Sequence, residues 1–168
     1  AAEAGQLVDS IARLDADDAA LPERLERQVA YLDAHPETGI VGSACLLMDG
    51  DGREAGLVLS PPTDLEIRWR SLAGNPFQHP AVMVRREVLD RYGLRYDPAY
   101  RTAQDYELWI RLLGHTQGAN LEQPLVRRRV HGATLSAVEG GAQSDNHISV
   151  ALAAITGHIW PVFAGFRG

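Results

Sequence analysis

Apolar positions in this chain recur at two spacings, and the switches between them mark the predicted elements. Leu7 to Leu14 suits a strand with one buried face, and it runs straight into Asp15, Asp17 and Asp18. Pro22 fits a first helical position. Leu21, Leu25, Val29 and Leu32 then follow 3–4 spacing as far as His35-Pro36, which predicts an amphipathic helix. Gly39 to Met48 reads as a strand through Ile40, Val41, Cys45, Leu46 and Leu47. Asp49-Gly50-Asp51-Gly52 is a hairpin-type turn leading to a short partner near Gly56–Leu59.

Pro61-Pro62 breaks the chain, and Thr63 is placed to cap a helix carrying Leu65, Ile67, Trp69 and Leu72. A loop with two prolines spans Gly74 to Pro80, before a strand over Ala81–Val84 and a helix over Arg86–Tyr92. After a turn at Tyr96–Tyr100, a helix starts near Gln104 with Tyr106, Trp109, Ile110 and Leu113 on its apolar side. Glu107 and Arg111, one turn apart on that helix, are expected to pair. Ala119–Val130 predicts a strand broken by Pro124 and carrying Arg127-Arg128-Arg129. Residues 1–6 read as a helix end closing at Gly5, residues 132–142 as a Gly-rich loop, and Gln143 to His158 as a last helix with Ile148, Leu152 and Ile155 on one face. Strands and helices alternate without repeats, so the class is α/β.

At 168 residues the chain has the size of one domain with a real core. Its 45% hydrophobic and 23% charged residues are ordinary for a globular protein, and a net charge of −6 argues against a broad nucleic-acid surface. All 16 basic residues are arginine, a side chain suited to bidentate phosphate contacts. The single cysteine, Cys45, has no internal partner and sits in an apolar run, so a buried inert thiol in a reducing compartment is expected. No stretch approaches the roughly 20 apolar residues of a membrane span. No signal-peptide pattern is present, so the expected setting is the cytoplasm, at most at the periphery of a membrane.

The acidic stretch Asp15-Ala16-Asp17-Asp18 supports two readings. Like charges this close at a strand end suit a hard divalent cation, Mg2+ or Mn2+, held by one or two carboxylates plus water and phosphate oxygens. Alternatively, Asp17 or Asp18 caps the helix that follows.

Four ordered stretches together resemble the family 2 glycosyltransferases with the GT-A fold. They are Ala12 to Asp18 with Pro22-Glu23-Arg24-Leu25 and Gln28, then Val41-Gly42-Ser43, then Asn75 to Met83, and finally Ala103 to Arg111. Arg129-Val130-His131 and Ser136 close the pattern. The resemblance implies a partial GT-A (nucleotide-diphospho-sugar transferase) fold, a mixed central sheet flanked by helices. It also implies a truncated catalytic domain over residues 1–136, followed by a loop and helix over 137–168. Roughly 60–90 residues of βαβ units are expected ahead of the acidic motif in such an enzyme.

The same resemblance implies inverting sugar transfer from a nucleotide-sugar donor to a saccharide or lipid-linked acceptor. Asp15 and Asp17 would form the Asp-x-Asp motif that binds a Mg2+ or Mn2+ ion bridging the diphosphate. His131 matches a position that in some relatives reaches metal or diphosphate, with a surface histidine the alternative. Asp105 matches the general base, with an N-cap Asp that only starts the helix as the alternative reading of the residue by itself. Asp18, His79, Gln104 and Arg129 are candidate substrate contacts, with helix capping the alternative for Asp18 and a structural loop role that for His79. Arg127 and Arg129 share one strand face that would meet phosphate. Trp109 is expected in the core. Gln104 departs from the Glu common at that position, which lowers the charge beside the base. Two other readings stand beside this one. An aspartate-nucleophile phosphatase also uses Asp-x-Asp, but Ala19 stands where Thr or Val is usual and the chain has no lysine. An inactive module would fold and pair an open sheet edge with a second copy, a homodimer.

Overall fold

The computed structural model describes residues 9–130. Expectations for residues 1–8, for His131 and Ser136, for the Gly-rich loop and for the last helix lie outside the described residues.

The described chain is built on β3 (Thr38–Met48), whose first eight residues are all buried. Together with β1 (Ser10–Ala12), β2 (Ala19–Ala20), β4 (Glu54–Val58), β5 (Met83–Arg85) and β6 (Gln117–Arg129) it forms one sheet. The order is β1-β5-β3-β6-β2, with β4 also on β3. The β3–β6 pair is parallel and the other pairs are antiparallel, so the sheet is mixed, as expected. Successive β3 residues face opposite sides, as the strand pleat requires. Val41 packs with Leu32, Met83 and Ala119 beneath α1 (Arg24–Ala34). Ile40 packs on the other side with Ile67 of α2 (Asp64–Ser71) and with α4 (Gln104–Leu113). A short α3 (Arg86–Arg91) follows β5.

Most predicted elements appear within a residue or two, including the Thr63 cap, which forms a full capping box with Glu66. Tyr106, Trp109, Ile110 and Leu113 of α4 are buried, and Arg111 grips both Glu107 carboxylate oxygens through Nε and Nη2. Two expectations change. β6 is not broken at Pro124. Its pairing shifts instead, from Ser43↔Leu121 to Ala44↔Pro124, because proline has no N–H for the ladder and the extra residues bulge out around it. The second change is in α1, which turns Leu25 and Val29 outward at 58% and 41% exposure and buries Arg24 and Gln28. Packing against carbonyl-rich loops, described below, overrides the apolar stripe.

Cys45 is buried as expected, and burial pushes its thiol up to about 11, so it is inert at neutral pH. Gly42 has a packing reason. A Cβ there would lie 2.0 Å from Asn120 Oδ1. Asn120 is itself buried, and its amide donates to the carbonyls of Pro61 (2.8 Å) and Pro76 (3.3 Å). Gly42→Ala is therefore expected to force Asn120 off those carbonyls and to cost about 1–3 kcal/mol, read as a lower denaturant midpoint at unchanged m-value.

Candidate functional site

Two loops and one helix start build the site. The first loop, residues 13–18, joins β1 to β2 and carries the acidic stretch. Its position is set by α1. The Arg24 guanidinium donates to the carbonyls of Arg13 (2.6 Å) and Val82 (3.2 Å), and through Nε to Gln28 Oε1 (3.0 Å). Gln28 Nε2 in turn donates to the carbonyls of Ala81 (2.8 Å) and Val41 (3.2 Å). One buried polar pair thus ties the acidic loop, the turn after His79 and the central strand together. Burial lowers the pKa of Arg24, and its hydrogen bonds all go to neutral oxygens.

At the far end of this loop, the Arg129 amide of β6 donates to Asp18 Oδ1 at 2.8 Å. Burial raises the Asp18 carboxyl above its usual range, and this amide contact partly offsets the shift. Asp18 is therefore not a helix cap. α1 starts at Arg24, its N-cap is Glu23, and no side chain caps it, so neither Asp17 nor Asp18 fills that role. Asp15 accepts from Arg13 Nη2 at 3.1 Å, in a partly exposed pair. Asp17 is exposed. The Arg129 guanidinium reaches three carbonyls, those of Gly50 (2.9 Å), Asp49 (3.2 Å) and Asp17 (3.4 Å), and so clips the β3–β4 turn to the acidic loop. Arg128, from the opposite strand face, donates to Gln78 Oε1 at 3.1 Å, and Arg127 is exposed.

The second loop, residues 74–80, ends in a 3-10 turn at His79–Ala81 and lies against the start of α4. α4 is entered through Ala103, held at φ 57°, a left-handed conformation that costs a non-glycine residue about 1–2 kcal/mol. The strained entry puts Asp105 inside the first turn, and Ala103, not Asp105, is the N-cap residue. The capping alternative for Asp105 is thereby removed. Its carboxylate instead receives Asn75 Nδ2 at 2.7 Å on Oδ2, with His79 Nδ1 at 3.5 Å from the same oxygen. Both the His79 and Asp105 side chains keep about a fifth of their surface open. One turn on, Trp109 is buried as expected, and Phe77 meets it edge-on at 6.4 Å while His79 tilts over it at 6.2 Å. Gln104 is exposed at the first position of the helix.

The two halves face one another. Burial pushes the His79 imidazole below its ordinary value. Asp105 opposes that shift, Arg13 reinforces it, and Asp15 opposes it more weakly. Burial raises the Tyr96 phenol, and the same three charges, Arg13, Asp105 and Asp15, act on it. Asp15 and Arg13 of the acidic loop and Asp105 of α4 are therefore near enough to act on the same two side chains, His79 and Tyr96. The sequence reading missed Arg13 and Tyr96, which carry no spacing signal. It also assigned no role to Asn75, although a polar side chain before a proline in a matching stretch was the available clue. Among the described residues no group of three or more His, Cys, Asp or Glu is gathered to hold a metal ion.

Residues 7–93 match the family model described as "Glycosyl transferase family 2". This chain belongs to glycosyl transferase family 2. The family 2 chain is 36% identical over 121 residues to the amylovoran biosynthesis glycosyltransferase AmsE of Erwinia amylovora, covering 71% of this chain and 44% of that protein. It is 33% identical over 125 residues to the O-antigen biosynthesis glycosyltransferase WbnJ of Escherichia coli, covering 72% and 47%. It also resembles the crystal structure of S. aureus TarS 1–349 in complex with UDP-GlcNAc, with a TM-score of 0.58, 14% identity and coverage of 88% of this chain and 44% of that one. This likeness supports the partial GT-A fold. The chain thus spans about half the length of the curated relatives it matches or less. No described helix is long and apolar enough to cross a membrane.

Proposed function

We propose that this family 2 chain carries the catalytic and acceptor side of an inverting glycosyltransferase that takes a nucleotide-sugar donor. The observation that carries the reading is that Asp15 from the acidic loop and Asp105 from α4 act on the same two side chains, His79 and Tyr96. In the reaction an acceptor hydroxyl attacks the anomeric carbon of the donor. Its oxygen lone pair forms the new C–O bond, its proton passes to Asp105, and the bond to the diphosphate breaks with the electron pair leaving on phosphate. Asp105 is suited to this because its side chain keeps about a fifth of its surface open while Asn75 holds one carboxylate oxygen.

The donor set of the acidic loop fits a hard cation. Asp15 and Asp17 offer carboxylate oxygens on an open loop, too few to enclose an ion, so water and diphosphate oxygens would complete the shell, as suits Mg2+ or Mn2+. When bound there, such an ion would supply Lewis-acid neutralisation of the leaving group. Asp18 holds the loop to β6, so its contribution to substrate is through loop position. Arg129 acts in the same way, through the carbonyls it binds. TarS was crystallised with UDP-GlcNAc and with UDP, and AmsE and WbnJ are named for polysaccharide synthesis, which favours a UDP-linked sugar and a saccharide or lipid-linked acceptor here.

The reading is tested by incubating the full-length protein with a panel of nucleotide-sugars, with and without Mn2+, and following nucleoside diphosphate release. Cation-dependent release is expected, and Asp17→Asn is expected to raise the Mn2+ concentration needed for half-maximal rate. Release from no nucleotide-sugar, or equal rates in Asp17→Asn and in EDTA, would overturn it.

A further inference from the structure

We infer that Asn75 and His79 are positioning residues that hold Asp105 by one carboxylate oxygen, Oδ2, so that the acceptor's proton is taken by Oδ1. The inference rests on the reading of Asp105 as the base and adds how the base is aimed. Both contacts to Asp105, from Asn75 Nδ2 at 2.7 Å and from His79 Nδ1 at 3.5 Å, fall on Oδ2. Oδ1 has no hydrogen bond among the described residues.

The orientation of Asn75 is fixed from its other end. Its Oδ1 accepts the Phe77 amide at 3.1 Å, which leaves only the NH2 group to face the carboxylate. Phe77 is anchored edge-on against Trp109, one turn beyond Asp105 on α4. The helix that carries the base therefore also carries the surface that locates its holder. His79 rests on the same indole, and its Nδ1 is a buried nitrogen with no hydrogen-bond partner. That atom lies 3.5 Å from Oδ2 without a hydrogen bond to it, a loose contact of the kind that tightens when substrate binds. Burial favours the neutral imidazole, which donates from one ring nitrogen only. The other groups facing the pair are Arg13 and Asp15 from the acidic loop and Tyr96 from the segment before α4.

Asn75→Asp separates this role from a structural one. It keeps the size of the side chain and an oxygen for the Phe77 amide. It replaces the donor with a carboxylate against Oδ2, and two carboxylates in that position cannot both ionise easily. The acidic limb of kcat against pH is expected to move up by about one unit or more. His79→Phe keeps a ring on Trp109 but loses the nitrogen, and is expected to move the same limb the same way by about half a unit. KM for the donor stays within about twofold in Asn75→Asp, since Asn75 does not lie on the acidic loop. If Asp105→Asn is inactive but both limbs stay at the wild-type position, the positioning role is overturned and the base assignment survives. If Asp105→Asn keeps the wild-type rate, both fall.

Discussion

Asp105→Asn is expected to lower kcat for sugar transfer by about 10²–10⁴-fold, the range lost with a general base, and to leave the thermal midpoint within a few degrees of wild type. The substitution keeps the shape of the side chain. Its amide still presents an oxygen to Asn75 Nδ2, so the 2.7 Å contact and the packing of the 74–80 loop on Trp109 are retained. Only the capacity to take a proton is removed. The donor's KM is expected to change little, because in the proposed reading the diphosphate binds at the acidic loop and not at Asp105. Measuring kcat, KM and the midpoint on one preparation checks all three. A parallel collapse of rate and stability would instead mark Asp105 as a structural residue, and an unchanged rate would remove it from the chemistry.

Much of this arrangement was readable in the sequence, and what was not has a physical cause. The central strand, the capped α2 and the apolar side of α4 follow from local periodicity and capping chemistry, and the structure keeps them. Asp105 stands out in the sequence only because its stretch matches a family pattern; its distance from the cap position is not legible there, since that depends on the left-handed Ala103. The face of α1 was misread for a related reason. Leu25 and Val29 form the better stripe on a helical wheel, but the loops packed under the helix present backbone carbonyls at Arg13, Ala81 and Val82. Carbonyls in a buried place must find donors, and long polar side chains supply them where leucine cannot. Nothing within a window of the α1 sequence announces carbonyls that arrive from nearly sixty residues away. The continuity of β6 through Pro124 likewise depends on where β3 can absorb a bulge.

The same carbonyls set the cost of losing Arg24. Arg24→Met is expected to destabilise the fold by about 2–4 kcal/mol, or roughly 5–15 °C in midpoint. Two effects oppose each other. Methionine is of similar length and relieves the desolvation of a guanidinium that has no carboxylate to offset it, which by itself would favour the variant. Against that, the buried Gln28 Oε1 loses its donor at about 1–3 kcal/mol, and the part-buried Arg13 carbonyl loses its donor at the lower end of that range. Val82 fares better, because its carbonyl also accepts the Arg13 amide at 2.9 Å. Arginine is the more weakly hydrated of the two basic side chains, so relief of its desolvation is the smaller quantity and the orphaned carbonyls decide the sign. Arg24→Lys should recover only part of the loss, since an ammonium on a shorter reach cannot fork between Arg13, Val82 and Gln28 at once. Denaturant unfolding of the three proteins orders them wild type, Lys, Met; a methionine variant as stable as wild type would mean that water replaces the guanidinium and that α1 does not set the position of the acidic loop.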